Sequence, residues 1–504
     1  AGALAVLPFL GILGHAFVSW DDPAMIHGNP LLALSWREAL LAVFTSFHMT
    51  SWQPLGWLLY KLLFVAGGGA PAPFHAASLV LHGLNAALAA AVLQRLLPGA
   101  RPAALLAAVL AWAWHPLHAE SVAWASQLSD LLCGSFVLAA LRAHLDERRG
   151  AAWAFAALAG LCRWKALAAP AFALALDLAR GTKPRELPRR HAGFWLVAAA
   201  VVALNAAAKA SLGYAAALRL HEASLGLLLQ ARKLVWPVGL APTDLLDGAD
   251  NPWELGPLGA FLLLVAAAAL VTAAARRRPA LGWAFGAFAA LLAPTVLFAT
   301  PGPVAVMDHH LYTASLAFVP LLAWTFDRAR WPAFLLLPAL FAAGAIQAGA
   351  WRDSETLWAR VLAVRPVSPA ARLNLAAARA DEGRWGPALV AVDEQLAVFP
   401  RDPLAAHLRD ELFARAGVTP DRLESDAAAF LFERGRAPAA AARLERALAL
   451  SPRDADLLVD AAIVDGALGR REKARERLRK AATLSPRHVR ALEALRRLDA
   501  AEAR

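Results

Sequence analysis

The chain has 504 residues, of which 59% are hydrophobic and 18% charged, with a mean hydropathy of +0.47. That is too apolar for an ordinary soluble protein of this length and points to a polytopic membrane protein. The net charge of +11 does not indicate a nucleic-acid partner, because the basic residues stand at the ends of apolar runs or are scattered through the C-terminal part.

The acidic residues divide the chain: 16 lie in residues 1–350 and 23 in residues 351–504. We therefore expect two domains, an apolar one over 1–350 and a polar one over 351–504. Cys133 and Cys162 are the only cysteines, and their spacing matches neither a disulfide framework nor a zinc motif.

In chain order, apolar runs occupy 3–19, 74–97, 102–116, 120–142, 194–211, 258–275, 280–299, 312–326 and 332–350. The first reads as a signal-anchor helix. Residues 151–161 and 166–179 read as two shorter helices that turn at the membrane surface. The pattern predicts about eleven crossings. Arg95 with Arg101, the group Arg142, Arg148 and Arg149, the stretch 180–190, the triplet Arg276–Arg278, and Arg328 with Arg330 all fall on one side if the spans alternate. That side holds 15 Lys/Arg, against 8 on the other within the apolar region, so it is expected to be cytoplasmic. The opposite side collects WDDPAMIHGNP, HPLHAES, LDGADNPWE and VMDHHLY, and with an odd number of crossings the polar domain also lies there.

The polar domain carries an internal period. Pro366 and Pro400 are 34 residues apart, as are Pro452 and Pro486. Gly383, Gly435 and Gly469 each precede one of the later three prolines by 17 residues, and Ala388, Ala440 and Ala474 precede them by 12. Glycine ends a first helix, alanine allows close packing, and proline ends the second. This is the tetratricopeptide pattern, with one interrupted unit between Pro400 and Pro452. Stacked helix pairs present a concave surface for a peptide or partner helix, or brace the membrane domain.

Several polar residues of the outer side are candidates for chemistry. Asp21 and Asp22 follow the first span; they read as solvated helix-end charges, as ligands for a divalent cation, or as a base for a hydroxyl nucleophile. Neighbouring side chains diverge, so one of the two is expected to face a cleft. His115, His118 and Glu120 lie within about one helical turn of each other, a set suited to metal ligation or to a phosphate-bound ion. Asp130 lies inside a span, where an ionisable residue must find a partner. Arg163 and Lys165 stand at the outer turn of the paired short helices, where they either meet a lipid phosphate or snorkel. Asp308, His309 and His310 open a later span, and Arg232 and Lys233 lie on an amphipathic stretch. His75, His82 and Asn85 share one span, where packing or a buried hydrogen bond is expected.

The succession of WDD, WQPLGWLLYKL, PFHAASLVLHGLNAALAAAVLQRLL, HPLHAESVAWASQLSDLL and VMDHHLYTAS, with WRDSETLWARVLAVRPVSPAARLNLA leading into the repeats, resembles the membrane glycosyltransferases of the C-type fold. Within them it looks like the bacterial relatives of the transmembrane and tetratricopeptide-repeat-containing O-mannosyltransferases. The resemblance implies an all-α polytopic bundle followed by a tetratricopeptide-repeat solenoid in a bacterial inner membrane, with the repeats extracytoplasmic. It implies transfer of a mannose-like hexose from a polyprenyl-phosphate donor to a protein Ser/Thr or a glycan hydroxyl. Asp21 and Asp22 become the catalytic carboxylates. His115, His118, Glu120, Asp130, Asp308, His309 and His310 shape the cleft or bind substrate, and Lys165 and Arg232 face the donor phosphate. A divalent cation, Mg or Mn, has Asp21, Asp22, His118 and Glu120 as candidate ligands. Gln53 stands where the family often has Arg. The competing readings are a non-enzymatic scaffold whose repeats recruit envelope proteins, and a flippase for lipid-linked sugars.

Overall fold

Proline sets where many of the helices begin. Pro54–Gly67, Pro71–Leu96, Pro102–Ala113, Pro369–Asp381, Pro403–Arg415 and Pro420–Glu433 all open on it. The first position of a helix has no intrahelical use for its N–H, and the fixed φ of proline suits it. The computed structural model describes all residues except 50, 211–216, 219, 242–243, 247–256, 278, 300–303, 329–330 and 503–504. The chain divides into two units, Ala1–Arg365 and Pro366–Arg504.

The first unit is helical and built around the 26-residue helix Pro71–Leu96. The first apolar run is not one long α-helix. A four-residue helix, Gly2–Ala5, passes into a 3-10 helix, Leu7–Gly14. Pro8 removes a backbone donor there, and Gly11 and Gly14 weaken helix propensity. The segment lies tightly on its neighbour: a Cβ on Gly2 would stand 2.6 Å from the carbonyl oxygen of Gly83.

Among the described residues, three helices are long and apolar enough to cross a membrane: Pro71–Leu96, Ala125–Leu145 and Leu187–Ala208. The helices Ala333–Gly349 and Ser354–Val364, bent by 116°, make a fourth if taken as one span. The expected count of about eleven is therefore not reached by helix length. Proline, glycine and 3-10 turns cut several of the other apolar runs into shorter pieces, whereas Pro257–Arg277 and Pro279–Leu297 are continuous helices of 21 and 19 residues. Arg149–Gly160 and Ala168–Ala179, either side of the 3-10 turn Trp164–Leu167, are 12 residues each. Each reaches about 18 Å against a hydrocarbon core of about 30 Å.

The all-α expectation needs one small correction. Ala217–Leu218 pairs with Phe298–Ala299, and Asp244–Leu246 with Val304–Val306, both antiparallel. Strands of two and three residues are too short to leave an alternating signature in the sequence.

Buried polar side chains lock the helices of this unit. His82 Nδ1 lies 2.9 Å from the Tyr312 hydroxyl, and Asn85 Nδ2 donates to that hydroxyl and to the Leu131 carbonyl, both at 3.0 Å. Ser135 Oγ donates to Asn85 Oδ1 at 2.6 Å. These residues therefore serve as internal fasteners, since buried polar atoms must find partners.

The second unit is a series of helix pairs. Pro369–Asp381 packs with Trp385–Val398, Pro420–Glu433 with Ala437–Leu450, and Ala455–Ala467 with Arg471–Leu484. Gly383, Gly435 and Gly469 stand between the partners with φ of 73°, 73° and 74°, a left-handed conformation that favours glycine. Ala388, Ala440 and Ala474 are fully buried. The 52-residue interval between Pro400 and Pro452 holds one unpaired helix, Pro403–Arg415, ahead of the next pair.

Candidate active site

The segment that carries the two aspartates is stitched at its start. Ser19 N donates to Ser354 Oγ at 2.8 Å, Trp358 Nε1 donates to Ser19 Oγ at 3.2 Å, and the rings of Trp20 and Trp358 lie 4.7 Å apart. Pro23 then starts a short π-helical turn, Pro23–His27, with Asp22 as the residue before it.

The two carboxylates have different surroundings. Asp22 is 1% exposed. Its Oδ2 accepts from Val18 N at 2.9 Å, and its Oδ1 accepts from Ser126 N at 3.0 Å and from the Ser126 hydroxyl. Both its oxygens are therefore committed to holding the segment. Asp21 is partly exposed, and its carboxylate makes no hydrogen bond among the described residues. Burial raises the Asp21 carboxyl to about 6, opposed by the Arg163 charge. Burial also raises Asp22 to about 6, against its hydrogen bonds and reinforced by Asp21.

The Arg163 charge that favours the ionised Asp21 carboxyl belongs to a chain of opposite charges. Asp130 sits in the first turn of Leu128–Leu145, where the helix dipole favours a carboxylate. Its Oδ1 lies 3.1 Å from Arg163 Nε, and its Oδ2 accepts from Lys165 Nζ. Arg163 Nη1 also donates to Gln53 Oε1 at 2.7 Å, and Lys165 Nζ donates to the His309 carbonyl at 3.0 Å. His309 Nδ1 lies 2.5 Å from Glu120 Oε1, and Glu120 Oε2 has no hydrogen-bond partner among the described residues. Lys233 Nζ is 2.5 Å from Asp308 Oδ1. Burial and the Asp308 charge hold the Glu120 carboxyl well above the usual range, while Lys233 opposes them. Burial likewise lowers the Lys165 ammonium. Asp21, Glu120, Asp130, Lys165, Asp308 and His309 thus belong to one electrostatic group, with the His310 ring edge-on to that of His309 at 4.2 Å.

Three candidates lie apart. His118 sits in an aromatic box, 4.9 Å from the rings of both Trp112 and Tyr312, and its ring nitrogens make no hydrogen bond. His115 Nε2 is turned to the Leu234 carbonyl at 3.1 Å. Arg232 Nε is buried with no hydrogen-bond partner among the described residues, whereas the adjacent Lys233 reaches Asp308. The helix phase distinguishes the two: Gly226, Leu229, Gln230 and Lys233 form the buried stripe of Leu220–Val235, and Arg232 is off it. The proposed metal set of Asp21, Asp22, His118 and Glu120 does not gather. Asp22 is bound to Ser126 and His118 to its box, and the one group of three ligating side chains found among the described residues is elsewhere. No step is therefore routed through a divalent cation at this site.

A free carboxylate beside a row of buried cations suits proton abstraction next to a departing anion, and the fold carrying it is a helical membrane-type unit followed by helical repeats. The chain is similar in sequence to protein O-mannosyl-transferases. It is 32% identical to Tmtc2 of Drosophila melanogaster over 201 residues, 36% of this chain and 21% of that protein. It is 34% identical to Tmtc1 of the same fly over 160 residues, 29% of this chain and 18% of that one. It is 28% identical to human TMTC4 over 156 residues, 27% of this chain and 21% of that protein. The matches thus span about a fifth of the curated relatives. No protein-family model matches the chain. A chain in the crystal structure of the APC/C hetero-tetramer Cut9–Hcn1 aligns over 88% of this chain and 92% of its own, at 14% identity and a TM-score of 0.16, too low to support a structural argument.

Proposed function

We propose that the chain is a membrane glycosyltransferase that moves a mannose-like hexose from a polyprenyl-phosphate donor to a Ser/Thr hydroxyl of a polypeptide. The observation that carries the reading is the partly exposed carboxylate of Asp21, which the Arg163 charge favours in its ionised form, on a segment latched by Asp22 to the start of the helix that holds the Asp130–Arg163–Lys165 group. Similarity to the named protein O-mannosyl-transferases supports the reaction class.

In this reading Asp21 accepts the proton of the acceptor hydroxyl. The oxygen attacks the anomeric carbon, and the bond from that carbon to the phosphate oxygen breaks. The phosphate leaves with its electron pair, and Arg163, Lys165 and Lys233 oppose the charge that builds on it. Glu120 orients His309, and Asp22 positions Asp21 without touching substrate. An apolar cavity of about 130 Å³, lined among others by Leu93, Leu138, Phe172, Leu176 and Leu316, suits a segment of isoprenoid chain. The acidic group faces the extracytoplasmic side of a multi-pass bacterial inner-membrane domain, and the repeats on that side present the acceptor.

The experiment is transfer of labelled hexose from polyprenyl phosphate to a Ser/Thr-rich peptide by the protein reconstituted in liposomes. Labelled peptide is expected to appear together with free polyprenyl phosphate. Release of free hexose alone would contradict the acceptor assignment.

A further inference from the structure

A second polar cluster lies away from the residues described above. His144 ends the helix Leu128–Leu145, Asp177 lies near the end of Ala168–Ala179, and His191 lies in the first turns of Leu187–Ala210. All three side chains are buried, and one ligating atom from each falls within 4.8 Å of the others. His144 Nε2 is 3.2 Å and His191 Nε2 2.9 Å from the same oxygen, Asp177 Oδ2. We propose that His144, Asp177 and His191 bind one first-row divalent transition ion, with Zn2+ as the reference case, which clasps the ends of these three helices.

The donor chemistry supports this. Two imidazoles and one carboxylate suit Zn2+ and its neighbours rather than Mg2+ or Ca2+. Tetrahedral ligation at about 2.0–2.1 Å places ligand atoms roughly 3.3 Å apart, close to the separations seen. A plain hydrogen-bonded clasp accounts for less. His144 Nε2 is buried and 3.2 Å from Asp177 Oδ2 but poorly angled for a hydrogen bond to it, and His191 Nδ1 is buried with no hydrogen-bond partner among the described residues. Arg190 also holds Asp177, with Nε 3.0 Å from Oδ2 and Nη2 3.4 Å from Oδ1, and its Nη2 reaches Glu147 Oε1 at 2.8 Å. An ion on Oδ2 leaves Arg190 its bonds to Oδ1 and Glu147. Asp177 and Glu147 against Arg190 leave one net negative charge with both histidines neutral, which favours a cation.

The site is independent of sugar transfer. Its test uses the full chain in detergent, stripped with chelator and reloaded with Zn2+, Co2+ or Cu2+. About one ion per chain is expected to survive desalting, and the thermal midpoint is expected to rise on loading. His144→Gln and His191→Gln, which keep the Asp177–Arg190 pair, are each expected to weaken binding about tenfold or more. The Cu2+ form of the unaltered protein, which needs no variant to fold, is expected to show two coordinated imidazole nitrogens by electron paramagnetic resonance. Retention of no ion by the unaltered protein, equal retention by both variants, or a Cu2+ spectrum without histidine nitrogen would overturn the site.

Discussion

Asp22 accepts both the backbone N–H and the hydroxyl of Ser126, a residue 104 positions later in the chain. That latch fixes the segment carrying Asp21 against the start of the helix that carries Asp130. Ser126→Ala removes the hydroxyl bond alone and is expected to cost about 1–2 kcal/mol, whereas Asp22→Ala leaves two buried N–H groups unmet and is expected to cost more. Thermal unfolding in detergent measures both; equal stability of the three proteins would remove the latch from the account.

On the proposed mechanism, the pH dependence of transfer follows from Asp21. A base with a pKa of about 6 gives a kcat/KM that rises with pH to a plateau, with its midpoint near that value. Arg163 favours the charged carboxylate, so Arg163→Gln is expected to move the midpoint upward as well as slow the reaction. For stability the sign is opposite. Asp21 and Asp22 are raised from 3.8 to about 6 in the folded chain. Their joint contribution is most favourable below about pH 4 and is lost as pH rises through about 6. A pH–rate profile and a pH series of unfolding midpoints check the two statements separately.

Asp130 is the counter-charge for Arg163 and Lys165. Asp130→Asn is expected to destabilise the protein by about 3–5 kcal/mol, because it strands buried cations. Lys165→Met in the Asp130→Asn background is expected to recover part of that stability without recovering transfer. If the second change lowers stability further by the full single-mutant amount, the two residues are not coupled.

Lys233 and Arg232 are adjacent in sequence but differ in surroundings. Lys233→Met is expected to raise the KM for the polyprenyl-phosphate sugar and to lower kcat, because it removes a cation from the leaving-group side. Arg232→Met is expected to change both parameters less. Steady-state kinetics with varied donor decides between them, and a larger effect at Arg232 would reverse the assignment.

In the repeats, Gly386 lies directly against the helix Pro420–Glu433: a Cβ there would overlap the backbone of Asp426 and Ala427. Gly386→Ala is expected to push the two helices apart at a cost of about 1–3 kcal/mol. Hydrogen exchange of the full chain should show faster exchange in both helices, with no change in residues 1–365.

The parts of this molecule that were legible in its sequence are those governed by local chemistry. Gly383, Gly435 and Gly469 each mark a left-handed turn between paired helices, and glycine, alanine and proline at fixed offsets announce the repeat. Asp130 is legible for a related reason: a carboxylate among apolar residues requires a partner. The first apolar run misled because hydropathy does not register the break that Pro8 and two glycines impose. The site was legible in outline only. Diverging neighbours give the two aspartates different surroundings, but which of them is held by hydrogen bonds depends on Ser126, whose contact with Asp22 exists only in the tertiary structure. Arg232 comes from the resemblance; helix phase puts the adjacent Lys233, not Arg232, on the buried stripe of Leu220–Val235. His118 was grouped with Glu120 by spacing, yet the aromatic rings of Trp112 and Tyr312 take it elsewhere.

The central claim is that Asp21 takes the acceptor proton while Asp22 holds it in place. It is tested most directly by single-turnover transfer with Asp21→Asn, assayed after the variant is matched to the unaltered protein in amount and thermal midpoint. Transfer is predicted to fall on the order of 10²–10⁴-fold with donor binding retained. Transfer at the unaltered rate by a folded Asp21→Asn protein would contradict the account.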